Sequence, residues 1–345
     1  MFPVLPFSPF LYSFTIVNNF FFVQFGNGLC NFRILIIFAL TLAGNQRLQW
    51  AFMSALKLRG LGVAMITPFD SDFNIDYPAL RRVIDHVIDN GADYLVILGT
   101  TGETPTLTAA EKAEVRRRAV EYTAGRVPLI AGMGGNCTAA LVDEIRHTDL
   151  TGYSAILSVT PFYNKPSQEG LYRHFAEVAR ASSLPVVLYN VPGRTGVNIA
   201  AETTLRLAHE FPNIVAIKEA SGNLKQIEEI LSRRPEGFEV ISGDDALTYP
   251  LISIGAEGVI SVVGNAFPKE FGQMVRLCLE GNFNEALPIH HRFQNLYDEL
   301  FVDGNPAGIK YLLHEMGFCE NQLRLPLVPT RPETGEKLDR ILASL

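Results

Sequence analysis

The run Ile214-Val215-Ala216-Ile217 is short, apolar and largely β-branched, and it ends on Lys218. Such a run reads as a buried strand. A Glu-Ala-Ser-Gly turn follows, and a helical pattern begins at Asn223. A lysine at the inner end of a buried strand sits where its charge is costly to desolvate. That cost lowers an ammonium pKa and leaves free amine near neutral pH. A free amine in a dry pocket can attack a ketone and form a Schiff base. The plain alternative is a lysine that caps the strand and reaches solvent. The stretch by itself does not choose between the two.

Other candidates fall at the ends of comparable apolar runs. Gly99-Thr100-Thr101-Gly102 follows the run 94–98. Its glycines let backbone N–H groups approach a ligand and its hydroxyls add donors, which suits a small carboxylate. Alone, it also reads as a tight turn with a threonine cap. Tyr163 follows the run 155–159, and Tyr189 ends the run that starts at Pro185. Adjacent strands lie about 4.8 Å apart, so Tyr189 and Lys218 can approach one bound molecule. A tyrosine beside a Schiff-base lysine is a reasonable proton donor or acceptor. Its alternative is a packed aromatic with a satisfied hydroxyl. Arg194 follows closely in a Gly-flanked loop. It can hold a second carboxylate bidentately, or else it is a solvated surface charge. Each plain reading is reasonable singly, and far less so for all of them on one rim. The set spells a lysine that makes an imine, hydroxyls that move protons, and two anion sites. That suits a small 2-keto acid condensing with, or released from, an aldehyde bearing another anionic group.

The elements that must position these groups repeat along the chain. Apolar runs at 62–66, 94–98, 128–131, 155–159, 185–188, 214–217, 238–241 and 258–261 alternate with amphipathic stretches. The helical stretches are 77–90, 109–122, 139–147, 168–181, 201–210, from 223, 247–254 and 268–279. Thr108 and Glu111 have capping-box spacing. Serial strand–helix units in this number predict a closed parallel (β/α)8 TIM barrel, with its chemistry at the C-terminal ends of the strands. The runs are nearly continuous, as strands buried on both faces should be. An open doubly wound sheet fits less well, because no Gly-x-Gly-x-x-Gly follows the first run. After residue 281 the pattern reads as helices at 283–300, 307–316 and 334–342, an appendage with no chemistry of its own.

The 345 residues are 48% hydrophobic and 19% charged, as in an ordinary globular enzyme. A net charge of −7 without a basic stripe argues against nucleic acid. Cys30, Cys137, Cys278 and Cys319 form neither a CxxC nor a Cys/His cluster, so no disulfide framework or metal site is expected. Residues 1–52 are rich in Phe, Leu, Ile and Asn and nearly uncharged, and they are read as lying outside the fold. Their apolar runs 20–25 and 34–43 are too short to span a bilayer, so no membrane association is expected. Met53 stands just before the first patterned element and is read as an alternative initiator. The expected layout is an extension 1–52, a catalytic barrel 53–280 and a helical region 281–345.

Residues 60 to about 330 resemble the dihydrodipicolinate synthase family, within the class I pyruvate-dependent aldolases that also include N-acetylneuraminate lyase. The segments that carry the resemblance are 62–69, Gly99 to Glu103, Val159 to Pro166, Tyr189 to Gly196, Ile217 to Gly222 and Ser242 to Asp245. The resemblance implies a lyase that joins pyruvate to L-aspartate 4-semialdehyde, giving 4-hydroxy-2,3,4,5-tetrahydrodipicolinate on the diaminopimelate route to lysine. It implies that Lys218 forms the Schiff base, so no cofactor is needed. Tyr189, Thr100 and Tyr163 would form a proton relay. Thr101 and its loop backbone would hold the pyruvate carboxylate. Arg194 would hold that of the semialdehyde, and Gly243 and Ile260 would line the pyruvate pocket through backbone groups. It further implies a cytoplasmic homotetramer, a dimer of tight dimers, with Tyr163 crossing into a neighbouring subunit's site.

The rivals are a sugar-acid aldolase such as N-acetylneuraminate lyase and a non-catalytic protein that kept the barrel. Arg194 within Val-Pro-Gly-Arg-Thr-Gly argues for a short carboxylated aldehyde, and the full set of candidates argues against lost chemistry. In lysine-inhibited members of the family an allosteric cleft uses two histidines, a glutamate and a second tyrosine. Here those positions are Ala109, Lys112, Ala140 and Phe162, so weak or absent feedback by L-lysine is expected.

Overall fold

The computed structural model describes residues 57–345 and, nearer the N-terminus, an antiparallel pair of strands, Phe14–Val17 and Phe20–Val23. The chain divides into two units, Met1–Ala55 and Leu56–Leu345. The sequence reading leaves residues 1–52 outside the fold, and every residue of this pair is aromatic or β-branched, the types that favour strands. Met53 and the run 34–43 lie outside the described residues.

In the larger unit eight parallel strands close into a barrel. They are β1 Gly60–Ala64, β2 Tyr94–Ile97, β3 Leu129–Gly132 and β4 Ala155–Val159. Then come β5 Val186–Asn190, β6 Ile214–Glu219, β7 Glu239–Ser242 and β8 Gly258–Ser261, and β8 pairs back onto β1. The helices are α1 Tyr77–Asp89, α2 Ala109–Thr123, α3 Thr138–His147 and α4 Gln168–Ala181. They continue with α5 Ala201–Glu210, α6 Leu224–Arg233, α7 Thr248–Ser253 and α8 Pro268–Leu279. After the barrel come α9 Phe283–Arg292, α10 Gln294–Glu299, α11 Ala307–Glu315 and α12 Pro332–Leu342.

Two cores follow from strand alternation. Val186, Leu188, Ile214 and Ile217 face the helices, in the larger core, a register shift that skips Val215 placing Ile214 and Ile217 on the same face. Val187, Tyr189, Ala216, Ile241 and Ile260 face the barrel interior. Tyr94, at the start of β2, closes the floor. A Cβ at Gly62 would lie 2.2 Å from Tyr94 Cε2, so the ring fills the space that glycine leaves. The capping box forms as the spacing predicts, Glu111 N–H donating to Thr108 Oγ1 at 3.2 Å and Thr108 N–H to Glu111 Oε2 at 2.8 Å.

Two differences from sequence concern element ends. The lysine strand runs on to Glu219 and its neighbour to Asn190, because those two residues pair across the ladder. The single helix expected at 283–300 is broken at Phe293, whose N–H turns to His290 O at 3.2 Å, an i−3 bond. That turn keeps the Phe293 ring packed against Phe267 and Phe271. Among the described residues no helix is long and apolar enough to cross a membrane, and no three His, Cys, Asp or Glu side chains gather as a metal site.

Candidate active site

β5 and β6 run in register with Tyr189 opposite Lys218. Alternation sends both side chains into the barrel, near the C-terminal ends of their strands. Lys218 Nζ lies 4.4 Å from the centroid of the Tyr189 ring. The two residues are 6% and 7% exposed. Ala216 and Ala220 leave room for the lysine along its own strand, and Ile241 faces it from β7. Gly243 follows β7, its N–H donating to Glu219 O at 2.8 Å. A Cβ there would lie 3.0 Å from Lys218 Cε and 2.8 Å from Ala220 Cβ. The lysine therefore occupies the space of the missing side chain. Ile260, in β8, pairs with Gly62 and belongs to the interior core.

One residue further on, β5 and β6 are stapled on their outer face. Asn190 Nδ2 donates to Glu219 Oε1 and, at 2.8 Å, to Asn198 Oδ1. Ser221 Oγ donates to Glu219 Oε2 at 2.7 Å, and Asn190 Oδ1 accepts from Ile199 N–H at 3.2 Å. Burial pushes the Glu219 carboxyl up to about 7, against two hydrogen bonds that favour its ionised form. Sequence reasoning passed over this pair, although an acid continuing a buried apolar strand was a visible signal.

Beyond β2 the chain makes a tight turn. Leu98 and Glu103 adopt positive φ, 59° and 51°, on either side of a 3-10 turn at Thr100–Gly102. The opening N–H groups of a helical turn have no acceptor within it, and such concave N–H runs bind anions. Thr104 Oγ1 donates to Leu98 O at 2.7 Å, and Thr67 Oγ1 to Gly102 O at 2.7 Å, so the turn's carbonyls are tied down. Gly132 of β3 permits the bend, since a Cβ there would lie 2.1 Å from Leu98 O. Thr101 is buried and its Oγ1 accepts from Asn305 Nδ2 at 3.0 Å, while Thr100 is half-buried.

Tyr163 and Arg194 lie on the rim. Tyr163 is 86% exposed with φ of 73°, beside exposed Phe162. Its N–H donates to Thr195 O at 3.4 Å, which ties the loop after β4 to the loop after β5. Arg194 is exposed on a short helical turn, Pro192–Thr195, and pairs with no carboxylate among the described residues. Burial thus groups Lys218, Tyr189 and Ile260 inside the barrel, with half-buried Gly243 against the lysine. Tyr163 and Arg194 remain in solvent.

Polar residues unforeseen from sequence close the top of the barrel. Asp245 Oδ2 accepts from the N–H groups of Val262 and Val263 at 3.0 and 2.9 Å, and burial pushes its carboxyl up to about 6. Asn265 donates to Ala64 O at 2.8 Å and accepts from Ile66 N–H at 3.3 Å, joining β8 to β1. The C-terminal region, expected to carry no chemistry, reaches the threonine turn. Lys310 of α11 forms an ion pair with Glu103 in which both side chains are 0% exposed. Its ammonium also donates to Gln322 O at 2.9 Å, and the Arg324 N–H donates to Glu103 Oε2 at 3.1 Å. Burial pulls the Lys310 ammonium below its ordinary range, opposed by Glu103.

An amine buried at one barrel end, a phenol against it, and an N–H-rich turn after a strand of the same barrel are the groups needed to form an imine with a keto acid and move its protons. A model of the Dihydrodipicolinate synthetase family matches residues 57–345. The chain is 57% identical over 293 residues to the 4-hydroxy-tetrahydrodipicolinate synthase of Phocaeicola vulgatus, covering 85% of this chain and 99% of that protein. It is 56% identical over 293 residues to the protein of the same name from Parabacteroides distasonis, with 85% and 99% covered. The crystal structure of dihydrodipicolinate synthase from Aquifex aeolicus matches with a TM-score of 0.80 at 44% identity, over 83% of this chain and 97% of that one. The fold and a match that spans the whole barrel and its C-terminal helices agree: this chain belongs to the dihydrodipicolinate synthetase family.

Proposed function

We propose that the chain condenses pyruvate with L-aspartate 4-semialdehyde through a Schiff base on Lys218. Family membership makes it a lyase, and its relatives' shared name favours the synthase over N-acetylneuraminate lyase. The observation that carries the mechanism is the Lys218 amine 4.4 Å from the Tyr189 ring in a buried barrel end.

The Lys218 amine attacks the pyruvate C2 carbonyl, whose oxygen takes up protons and leaves as water. Loss of a C3 proton from the iminium gives an enamine, and C3 attacks the aldehyde carbon. The semialdehyde's amine then attacks the imine carbon, closes the ring and frees Lys218. One water is released overall, with 4-hydroxy-2,3,4,5-tetrahydrodipicolinate. Tyr189, Thr100 and Tyr163 carry the protons. Thr101 and the N–H groups of its turn hold the pyruvate carboxylate, and Arg194 holds that of the semialdehyde. Gly243 and Ile260 line the pyruvate pocket. The imine itself is the electron sink, so the reading calls for no metal or cofactor.

In this reading residues 53–280 are the catalytic barrel, 281–345 brace it, and 1–52 take no part. The assembly is a cytoplasmic homotetramer in which Tyr163 enters a neighbour's site. An aromatic residue at positive φ is strained. Tyr163 holds that strain while 86% exposed, which suits a side chain placed for a partner.

The test is turnover of pyruvate with L-aspartate 4-semialdehyde, coupled to a dihydrodipicolinate reductase and NADPH, with N-acetylmannosamine in parallel. Turnover with the semialdehyde alone is expected, and turnover with the sugar alone would overturn the assignment. Arg194→Ala should raise KM for the semialdehyde roughly 10- to 100-fold, as expected for losing a hydrogen-bonded charge contact. An unchanged KM would remove Arg194 from that role.

A further inference from the structure

The threonine turn is gripped from behind by a single stretch of the C-terminal region, and one contact bears on its chemistry. A hydroxyl has one proton and two lone pairs. Asn305 Nδ2 donates into a lone pair of Thr101 Oγ1 at 3.0 Å, and both residues are buried. Among the described residues nothing accepts the Thr101 proton. Five positions along, Lys310 is buried against Glu103, the positive-φ residue that ends the turn. Glu103 also accepts from Arg324 N–H at 3.1 Å. Thr101 and Glu103 are thus each held by this stretch, one through its hydroxyl and the other through its carboxylate.

We propose that Asn305 is a positioning residue for the carboxylate of the 2-keto acid. By donating to Thr101 it commits the Thr101 proton to the substrate, on a turn whose shape Lys310 fixes through Glu103. This rests on the reading that Thr101 holds that carboxylate. It makes affinity for the keto acid a property shared between the barrel and the C-terminal region. A packing role alone predicts a different response, because it would not depend on the direction of one hydrogen bond.

The experiment uses the full chain with T101V, N305A, N305D and the double variant T101V/N305A. It reads the pyruvate concentration that gives half-maximal borohydride-trapped adduct, together with KM and kcat. T101V should weaken pyruvate binding roughly tenfold or more, the scale of a hydrogen bond to a charged group. N305A should raise KM for pyruvate several-fold with less change in kcat. N305D should be worse than N305A above neutral pH, because an ionised carboxylate only accepts and would claim the Thr101 proton. N305D is nearly isosteric and carries the test should N305A fail to fold. The double variant should bind pyruvate no more weakly than T101V, since residues acting through one bond are not additive. Effects of T101V and N305A that multiply, or an N305D that matches wild type, would overturn the proposal. A T101V variant with unchanged KM would instead remove the Thr101 reading on which it rests.

Discussion

Replacing Gly243 with alanine tests how tightly the reactive lysine is placed. The added Cβ would lie 3.0 Å from Lys218 Cε, 3.1 Å from Lys218 Cγ and 2.8 Å from Ala220 Cβ. Carbon atoms prefer separations of about 3.5–4.0 Å. The Ala220 Cβ is fixed to the backbone and cannot swing away, so the backbone there must shift, and the lysine chain must give by roughly 0.5–1 Å as well. A misplacement near 1 Å can cost a reaction on the order of 100-fold. Overpacking costs only about 1–3 kcal/mol of stability, so the variant should still fold. The assay is the rate of pyruvate adduct formation under borohydride, beside turnover with both substrates. The expected result is about a 100-fold loss in both, with cooperative unfolding retained. Activity within about threefold of wild type would refute the reasoning, because the lysine would then have slack where it is inferred to be held.

Stability should depend on Glu219 with a definite sign. Its carboxyl is raised by burial from 4.5 to about 7, so between those values the folded chain keeps a proton that the unfolded chain has released. Stability from this group therefore falls as pH rises through that window and levels off above it, by roughly 3 kcal/mol in all. Glu219→Gln keeps an acceptor for Asn190 and a partner for Ser221 while removing this limb. Urea unfolding across the window should show a smaller pH slope in the variant, and equal slopes would contradict the burial argument. Asp245, raised to about 6, should leave a residual slope at lower pH. Feedback by L-lysine should be weak or absent, because Lys112 would repel its ammonium and Ala140 offers no carboxylate. Strong inhibition of the purified protein by millimolar lysine would contradict this.

The barrel was legible because each strand is an apolar run and each helix keeps its own period. Lys218 and Tyr189 stood out as polar ends to those runs, and the structure sets them side by side. The second layer was not legible, for a physical reason. Asn305 meets Thr101 across 204 positions and Lys310 meets Glu103 across 207, so no local spacing announces either contact. A lysine in a helix ordinarily reads as a solvated face, and only burial against Glu103 shows otherwise. The turn at Phe293 has a similar cause, since a buried aromatic cluster outweighs a continuous helical pattern.

The most direct test of the central claim is borohydride trapping with pyruvate, followed by mass analysis of the peptides. The wild-type chain should lose activity and carry the reduced pyruvate adduct on the peptide containing Lys218, and Lys218→Ala should carry none. An adduct that persists in Lys218→Ala, or that maps to another lysine in the wild type, would contradict the account.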